Sequence, residues 1–318
     1  MSETAIDVKS LVKYFGGRCV LKGIDLKISR GCIYGLLGRN GVGKTTLIRI
    51  LLGLEYPTRG STSLFGVDSL RLLSTVKGRI GYVAEGHNLI QGYRIKRLVE
   101  ICRSLSRQWN EALFKHLVEQ FHLPLDRKVK ALSTGMRAQL NLVLALATEP
   151  ELLILDDPTL GLDTVVRRQF LELAIDLIQQ EGRTILFSSH ILSDVERIAD
   201  RIGILVAGQL VVDCSLEQLK QRVKKLRLIF PEAAPDDIHL TDVIRSQIQG
   251  REMILTVANW NEQKQAMIQA LGPVECAEQH MSLEDIFLEC TGMPPVTVNG
   301  QDKETEHEIH SDPDQTRD

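Results

Sequence analysis

The chain has 318 residues, a length at which about two domains are expected. Its composition, 43% hydrophobic and 25% charged, is that of an ordinary soluble globular protein, and its formal net charge of −3 argues against a general nucleic-acid binder. Its six scattered cysteines form no C-x-x-C pair, which predicts reduced thiols and argues against a cysteine-ligated metal.

No stretch of the sequence predicts a membrane span or a signal peptide. The longest apolar runs fall short of the roughly 18 residues that a span requires. The N-terminus lacks the basic and apolar regions of a secretory leader. We therefore expect a cytosolic protein that acts at a membrane only through a partner.

Residues 5–37 are predicted to be rich in β structure. Apolar residues between Ile6 and Ile28 are spaced by polar ones, and turn signals such as Gly16-Gly17 interrupt them. Phe15 lies in a predicted loop after the first strand. Its ring has two interpretations, a plug of the core or a flat face on which an adenine ring stacks.

The stretch from Gly38 to Thr46 fits the pattern G-x-x-x-x-G-K-[ST], with an apolar strand predicted before it and a helix after it. Backbone N–H groups and the helix dipole would converge there on phosphate oxygens. Lys44 is predicted to reach the β- and γ-phosphates of a nucleotide, and the Thr45 hydroxyl to ligate Mg²⁺. The predicted nucleotide contacts are Gly38, Arg39, Asn40, Gly41, Val42, Gly43, Lys44, Thr45 and Thr46.

From about residue 87 to residue 150 the pattern is helical. Apolar residues recur at helical spacing from Ile95 onwards, and Pro124 interrupts the run. A further helix is predicted to begin after Gly135 and to end before Pro150. Because this block lies between the glycine-rich loop and the next β stretch, we expect it to be an insertion into a nucleotide-binding fold.

Two carboxylates end the apolar strand predicted at residues 152–155. Asp156 is expected to hold Mg²⁺ through water, and Asp157 to be the candidate base that orients the attacking water. A solvated strand end is the alternative interpretation. A later predicted strand, residues 184–187, runs into His190, at the end of the sheet where parallel strands place ligands. We favour contact with a γ-phosphate over a structural role for this histidine.

In their order and spacing, these motifs resemble those of the nucleotide-binding subunit of an ABC transporter, over about residues 5–220. Residues 131–136 match the signature motif of that family, and residues 160–163 are similar to its D-loop. The resemblance implies ATP and Mg²⁺ as cofactors. It also implies that Phe15 is the adenine-stacking aromatic, that His190 is the switch histidine, and that Glu85, at the Q-loop position, contributes to catalysis and to metal binding.

The same resemblance implies a head-to-tail dimer, either of two copies or with a paralogous ATPase subunit. Each ATP would lie between the glycine-rich loop of one subunit and the signature helix of the other. Ser133 and Gly135 would then supply a hydroxyl and backbone N–H groups to the partner's ATP. Closing and opening of the dimer would drive integral membrane permease subunits. No nucleic-acid partner is expected.

The sequence departs from the family pattern in three places. Asp157 stands where glutamate is usual, and its shorter side chain predicts slow hydrolysis or a site that mainly holds ATP. Glu85 replaces a glutamine and adds a negative charge. Thr134 and Met136 replace the glycine and glutamine of the common signature, while Ser133 and Gly135 are kept.

The C-terminal third predicts a small α+β unit followed by a tail. Residues 282–288, S-L-E-D-I-F-L, are similar to the end of ABC-2 type exporter ATPases, with Ser282 as a helix N-cap. Seven acids against two basic residues in 301–318 predict disorder. His307 and His310 are interpreted as part of that solvated tail, with metal binding as the alternative.

The fold class predicted is α/β, a P-loop NTPase of ABC type with a mixed sheet, an antiparallel β subdomain and a helical insertion, plus a small α+β domain. Its divisions would be residues 1–220, 221–292 and a tail 293–318. The predicted function is the ATP-hydrolysing subunit of an ABC-2 type exporter, peripheral on the cytoplasmic face of the membrane. A soluble ABC ATPase and a nucleotide-sensing regulator with slow hydrolysis are the alternatives.

Overall fold

A computed structural model describes residues 4–87, 89–179, 182–235, 238–291 and 298–299. In these residues the strands are β1 Thr4–Phe15, β2 Arg18–Ser29, β3 Ile33–Leu37, β4 Arg59–Leu64, β5 Val67–Asp68, β6 Ile80–Val83, β7 Leu152–Asp156, β8 Thr184–Ser189, β9 Arg201–Val206, β10 Gln209–Ser215, β11 Lys224–Ile229, β12 Val243–Gln249, β13 Glu252–Val257, β14 Glu275–Gln279 and β15 Val298–Asn299. The helices are α1 Lys44–Leu51, α2 Ser74–Lys77, α3 Ile95–Leu105, α4 Glu111–Gln120, α5 Thr134–Leu146, α6 Thr164–Gln179, α7 Leu192–Ile198, α8 Leu216–Arg222, α9 Glu262–Ala270 and α10 Leu283–Thr291. None of these helices has the length and apolar character that crossing a bilayer requires.

The central sheet has the strand order β15-β10-β9-β3-β8-β7-β6. The strands from β9 to β6 are parallel, and β10 runs antiparallel to β9. Because β3, β7 and β8 are buried on both faces, each contains an apolar run in the sequence, which in β8 is limited to residues 185–187. The carboxyl ends of β3, β6, β7 and β8 meet at one edge of the sheet, and the candidate site residues follow those ends.

Alternate residues of these strands enter different cores, since side chains in a strand point to opposite faces in turn. On one face, Leu36, Ile154 and Leu186 join a cluster with α1 and the antiparallel sheet β2-β1-β4-β5. On the other, Leu155 and Phe187 join a cluster with the apolar sides of α3 to α7. The predicted mixed sheet with an antiparallel β part and a helical insertion is confirmed.

The C-terminal part has its own sheet, in the order β12-β13-β11-β14, with a small core that includes Ile268 of α9. Helix α10 begins after Ser282, whose hydroxyl oxygen accepts a hydrogen bond from the Asp285 N–H at 3.1 Å. Buried side chains of α10 (Leu283, Ile286 and Phe287) join the larger core of the chain rather than the small one. The division of the chain at residue 220 remains a prediction.

Two residues of the predicted tail are described, Val298 and Asn299, and they pair in parallel with Val212 and Asp213 of β10. The rest of the segment predicted to be disordered lies outside the described residues. The two tail histidines, with their alternative as metal ligands, lie there as well.

Candidate nucleotide site

The glycine-rich loop joins β3 to α1, as its pattern predicts. Gly43 caps the helix with φ = 116°, and a Cβ there would lie 2.7 Å from Leu21 Cδ2. A side chain at this position would therefore be strained and would also clash. Gly38 serves a different need, because a Cβ there would lie 2.8 Å from the carbonyl oxygen of Leu205 in β9. The two glycines let the loop lie close against β2 and β9.

Lys44 is only 5% exposed, and its side chain bends back under the loop. Its Nζ donates to the Gly38 carbonyl oxygen at 2.8 Å and lies 3.5 Å from Asp157 Oδ2. A buried ammonium needs such partners, since an unpaired charge away from water is very costly. The lysine is thus held at the floor of the loop with an aspartate as its counter-ion.

Asp157 stands between the lysine and the histidine. Its backbone has φ = 42°, in the left-handed region that non-glycine residues rarely adopt, and its N–H donates to Ser188 Oγ at 2.9 Å. Its Oδ1 lies 2.7 Å from His190 Nδ1. The structure therefore brings Lys44, Asp157 and His190 together.

Asp156 is fully buried and carries an oxygen without a partner. Its Oδ1 accepts hydrogen bonds from Ser188 Oγ at 2.8 Å and Thr45 Oγ1 at 3.2 Å, while its Oδ2 has none in the described residues. Burial raises the pKa of this carboxyl, and the bonds from Ser188 and Thr45 act in the opposite direction. Glu85 Oε2 lies 3.5 Å from Thr45 Oγ1. A cation is the natural partner for the orphaned oxygen.

The loop, Glu85 and Asp157 enclose a cavity of about 210 Å³. Its lining consists of Val20, Asn40, Gly41, Gly43, Lys44, Thr45, Thr46, Glu85 and Asp157. Gly38, Arg39 and Val42 belong to the loop without lining the cavity. Val20 of β2 is a lining residue that the sequence pattern does not reveal, because it reaches the loop only through the packing of β2 beside it.

Phe15 is the last residue of β1 rather than part of a loop after it, since β1 continues in register to Arg18 of β2. Its ring is 45% exposed, which contradicts a core plug. Lys13 Nζ lies 4.5 Å from the ring centroid. Phe15 does not line the cavity described above, although its hairpin carries Val20 into that cavity. Stacking on adenine stays a prediction.

The predicted signature residues lie at the start of α5, away from this cavity. The helix begins at Thr134, two residues earlier than predicted, because Ser133 Oγ accepts a hydrogen bond from the Met136 N–H at 3.1 Å and so caps it. Gly135 is therefore inside the first turn. A Cβ on it would lie 3.1 Å from Val166 Cγ1, so the glycine allows α5 to approach α6.

Ser188 is a site residue that the sequence analysis passed over. It is fully buried, and its hydroxyl bridges the two carboxylate residues, donating to the Asp156 side chain and accepting from the Asp157 N–H. The pairing of Asp156 with Ser188 in adjacent parallel strands places it there. A serine directly before the histidine motif was the available signal, but only the strand register shows which groups it bridges.

Comparisons with known proteins agree with this geometry. A family model described as "ABC transporter" matches residues 21–160. The chain is 32% identical over 283 residues to "ABC transporter ATP-binding protein YtrB" of Bacillus subtilis (strain 168), covering 89% of this chain and 97% of that protein. It is 34% identical to "Bacitracin transport ATP-binding protein BcrA" of Enterococcus faecalis, over 70% of this chain and 73% of that one. A solved "ATP binding subunit of ABC transporter" superposes with a TM-score of 0.62 at 28% identity, covering 69% of this chain and 92% of that chain.

Proposed function

The chain belongs to the ATP-binding proteins of ABC transporters and is an ATPase, and from that premise we propose that it powers export through separate membrane subunits of the ABC-2 type. The observation that carries the proposal is the convergence of Lys44, Asp156, Asp157 and His190, which are linked by short polar contacts and of which Lys44 and Asp157 line the cavity. The similarity of residues 282–288 to ABC-2 exporter ATPases supports the subtype. The relative named for bacitracin transport supports traffic of a compound across a membrane.

ATP binding exchanges the partners of Lys44. In the structure the ammonium is paired with Asp157 Oδ2. The β- and γ-phosphate oxygens offer more negative charge, and the backbone N–H groups at the start of α1 bind them from the same side. Lys44 then turns to the phosphates, and Asp157 is released to accept a hydrogen bond from the attacking water.

Asp157 acts on the attacking water, and His190 acts on the γ-phosphate. The Asp157 carboxylate takes the proton as the water oxygen bonds to the γ-phosphorus, and the bond to the bridging oxygen of ADP breaks. His190 Nδ1 holds Asp157, which leaves its Nε2 for a γ-phosphate oxygen. Aspartate is one methylene shorter than glutamate, so the attacking water has to lie closer to the sheet to reach the carboxylate, and therefore farther from the γ-phosphorus. We therefore expect slow turnover.

Mg²⁺ fits the oxygen groups beside Asp156. Thr45, Asp156 and Glu85 would hold it, directly or through water, and it would neutralise developing phosphate charge. Mg²⁺ takes one or two protein carboxylates and completes its shell with water and phosphate, and Asp156 and Glu85 offer two carboxylates beside the Thr45 hydroxyl.

The signature residues complete the site only in a dimer. Ser133 and Gly135 do not line their own chain's cavity, while they present the capped N-terminus of α5. We propose that they contact ATP held by a second copy of the chain or by a paralogous subunit. The loop after Glu85 would receive the permease subunit, so that the protein works on the cytoplasmic face of the membrane.

The test of the transporter role is co-purification from the native membrane. Full-length tagged chain is expected to bring down a polytopic membrane protein in stoichiometric amount, with a Lys44→Ala variant as a control for nucleotide-dependent association. Recovery of ribosomes or DNA in place of a membrane protein would favour the soluble ABC ATPase and contradict export.

A nucleotide sensor is the second candidate, favoured by the shorter carboxylate of Asp157 and its pairing with Lys44. Steady-state ATPase activity of the wild type and of Asp157→Glu tests the support for a sensor. If the short side chain limits turnover, the Asp157→Glu variant is expected to be about tenfold faster. A factor of ten corresponds to a lowering of the activation free energy by roughly 1.4 kcal/mol. A wild-type rate that glutamate does not increase would remove the sensor's main support.

A further inference from the structure

Two buried polar residues join the segments that follow Asp157 and His190. Thr159 lies two residues after Asp157 and is 1% exposed, and Asp194 lies four residues after His190 and is 6% exposed. The Thr159 hydroxyl donates a hydrogen bond to Asp194 Oδ2 at 3.3 Å. Neither residue lines the nucleotide cavity, and we assign neither a contact with the substrate.

Asp194 also has a positively charged neighbour. Burial raises the pKa of its carboxyl, whereas the positive charge of Arg167 in α6 acts to lower it. The same arginine donates from Nη2 to the Leu162 carbonyl oxygen at 3.3 Å, and its Nε is buried without a hydrogen-bond partner. Arg167 therefore bonds to the loop after β7, and its positive charge acts on the Asp194 carboxyl.

The hydrogen bond closes a ring of contacts around the catalytic pair. One side of the ring is the short span from Asp157 to Thr159, in which the Leu160 N–H donates to the Asp157 carbonyl oxygen at 3.1 Å. The other side runs from His190 to Asp194, and the 2.7 Å contact between Asp157 Oδ1 and His190 Nδ1 completes it. Moving either end of the Thr159–Asp194 bond therefore moves a member of the pair.

We propose that Asp194 and Thr159 are positioning residues, which hold the Asp157 carboxylate and the His190 ring together when ATP takes Lys44 away. The proposal rests on the catalytic roles given to Asp157 and His190 above. Lys44 helps to fix Asp157 only while it is paired with it. Once Lys44 is bound to phosphate, the ring acts together with the bond from the Asp157 N–H to Ser188 Oγ to set the distance between carboxylate and imidazole. A displacement of about 1 Å in such a group can cost about a hundredfold in rate.

Thr159→Val removes the hydroxyl and keeps the shape, and Thr159→Ser is the matched control that restores the donor. In the full-length chain with MgATP, the valine variant is expected to lose about tenfold in kcat with little change in KM, as a group that acts only on the chemical step would. The serine variant is expected to return kcat to near the wild-type value. A purely structural role would lower the thermal midpoint, and serine and valine would then show equal kcat per ATP-binding molecule.

Asp194→Ala and the double variant with Thr159→Val complete a cycle. We expect the double variant to be no slower than Asp194→Ala alone, because both remove the same bond. The proposal would be overturned if the two single substitutions lowered kcat by factors that multiply in the double variant. It would also be overturned if Thr159→Val kept the wild-type kcat. The Thr159 series alone decides the question if Asp194→Ala does not fold.

A parallel His190→Ala measurement separates this proposal from the catalytic assignment. If His190→Ala turns over normally, the roles of the pair are wrong. If it loses hydrolysis while Thr159→Val keeps wild-type kcat, only the positioning role is wrong.

Discussion

Replacing Ser188 by alanine should destabilise the protein in a way that depends on pH. The serine hydroxyl makes two buried hydrogen bonds, at 2.9 Å from the Asp157 N–H and at 2.8 Å to Asp156 Oδ1. Losing one neutral and one charged bond costs about 2–4 kcal/mol of unfolding free energy at neutral pH. Half or more of this cost comes from the Asp156 carboxylate, whose remaining donor among the described residues is Thr45.

The sign of the pH dependence follows from Asp156. Burial raises the pKa of its carboxyl in the folded state, so the folded chain binds more protons than the unfolded chain, and stability falls as pH rises from the unfolded pKa to the folded one. Ser188 limits this loss by lowering the folded pKa of Asp156. Without the serine, the loss grows. The destabilisation by Ser188→Ala should therefore be larger at about pH 7.5 than at about pH 5.

Urea unfolding of the full-length chain at both pH values measures this difference. Ser189→Ala is the matched control, since Ser189 is equally buried and the partners of its hydroxyl in the described part of the chain are the backbone N–H and carbonyl of Ile191. The control should cost the same at both pH values. Equal costs for Ser188→Ala at the two pH values, or the same trend in Ser189→Ala, would refute the role given to the Asp156 charge.

Further predictions concern the loop and the histidine. Lys44→Ala should lose ATP binding, measured by equilibrium titration with MgATP, because the loop then lacks the ammonium that its phosphates require; unchanged affinity would contradict the site. His190→Ala should keep ATP affinity and lose steady-state phosphate release. Gly43→Ala should destabilise the chain by about 1–3 kcal/mol more than Gly41→Ala, since both glycines have positive φ but only at Gly43 would a Cβ clash, 2.7 Å from Leu21. Equal melting temperatures of the two alanine variants would show that the clash is relieved.

The parts of the site that a local pattern determines are predictable from sequence. The loop from Gly38 to Thr46 is of this kind, because its glycines, its lysine and the helix after it all act within nine residues. Apolar runs in the sequence likewise predict β3 and β7, since both faces of these strands are buried.

Contacts that depend on strand register or on folded backbone geometry are not predictable in this way. Ser188 reaches the carboxylates only because β7 pairs in parallel with β8, and Val20 reaches the loop only because β2 lies over it. The left-handed backbone of Asp157 is set by the turn and by the Ser188 bond, and an aspartate in a sequence carries no sign of it. The predicted start of α5 is wrong for a related reason. Gly135 suggests that the helix begins after it, whereas the Ser133 cap places Gly135 inside the first turn.

The position of α10 has a practical consequence for dissecting the molecule. Its apolar side chains Leu283, Ile286 and Phe287 belong to the same cluster as Val195 of α7, Leu219 and Val223. A fragment cut at residue 220 would therefore leave part of its own interior open to water, and would be expected to aggregate. A fragment that keeps this interior covered has to include α10, so the ATPase part should be expressed together with the α+β unit.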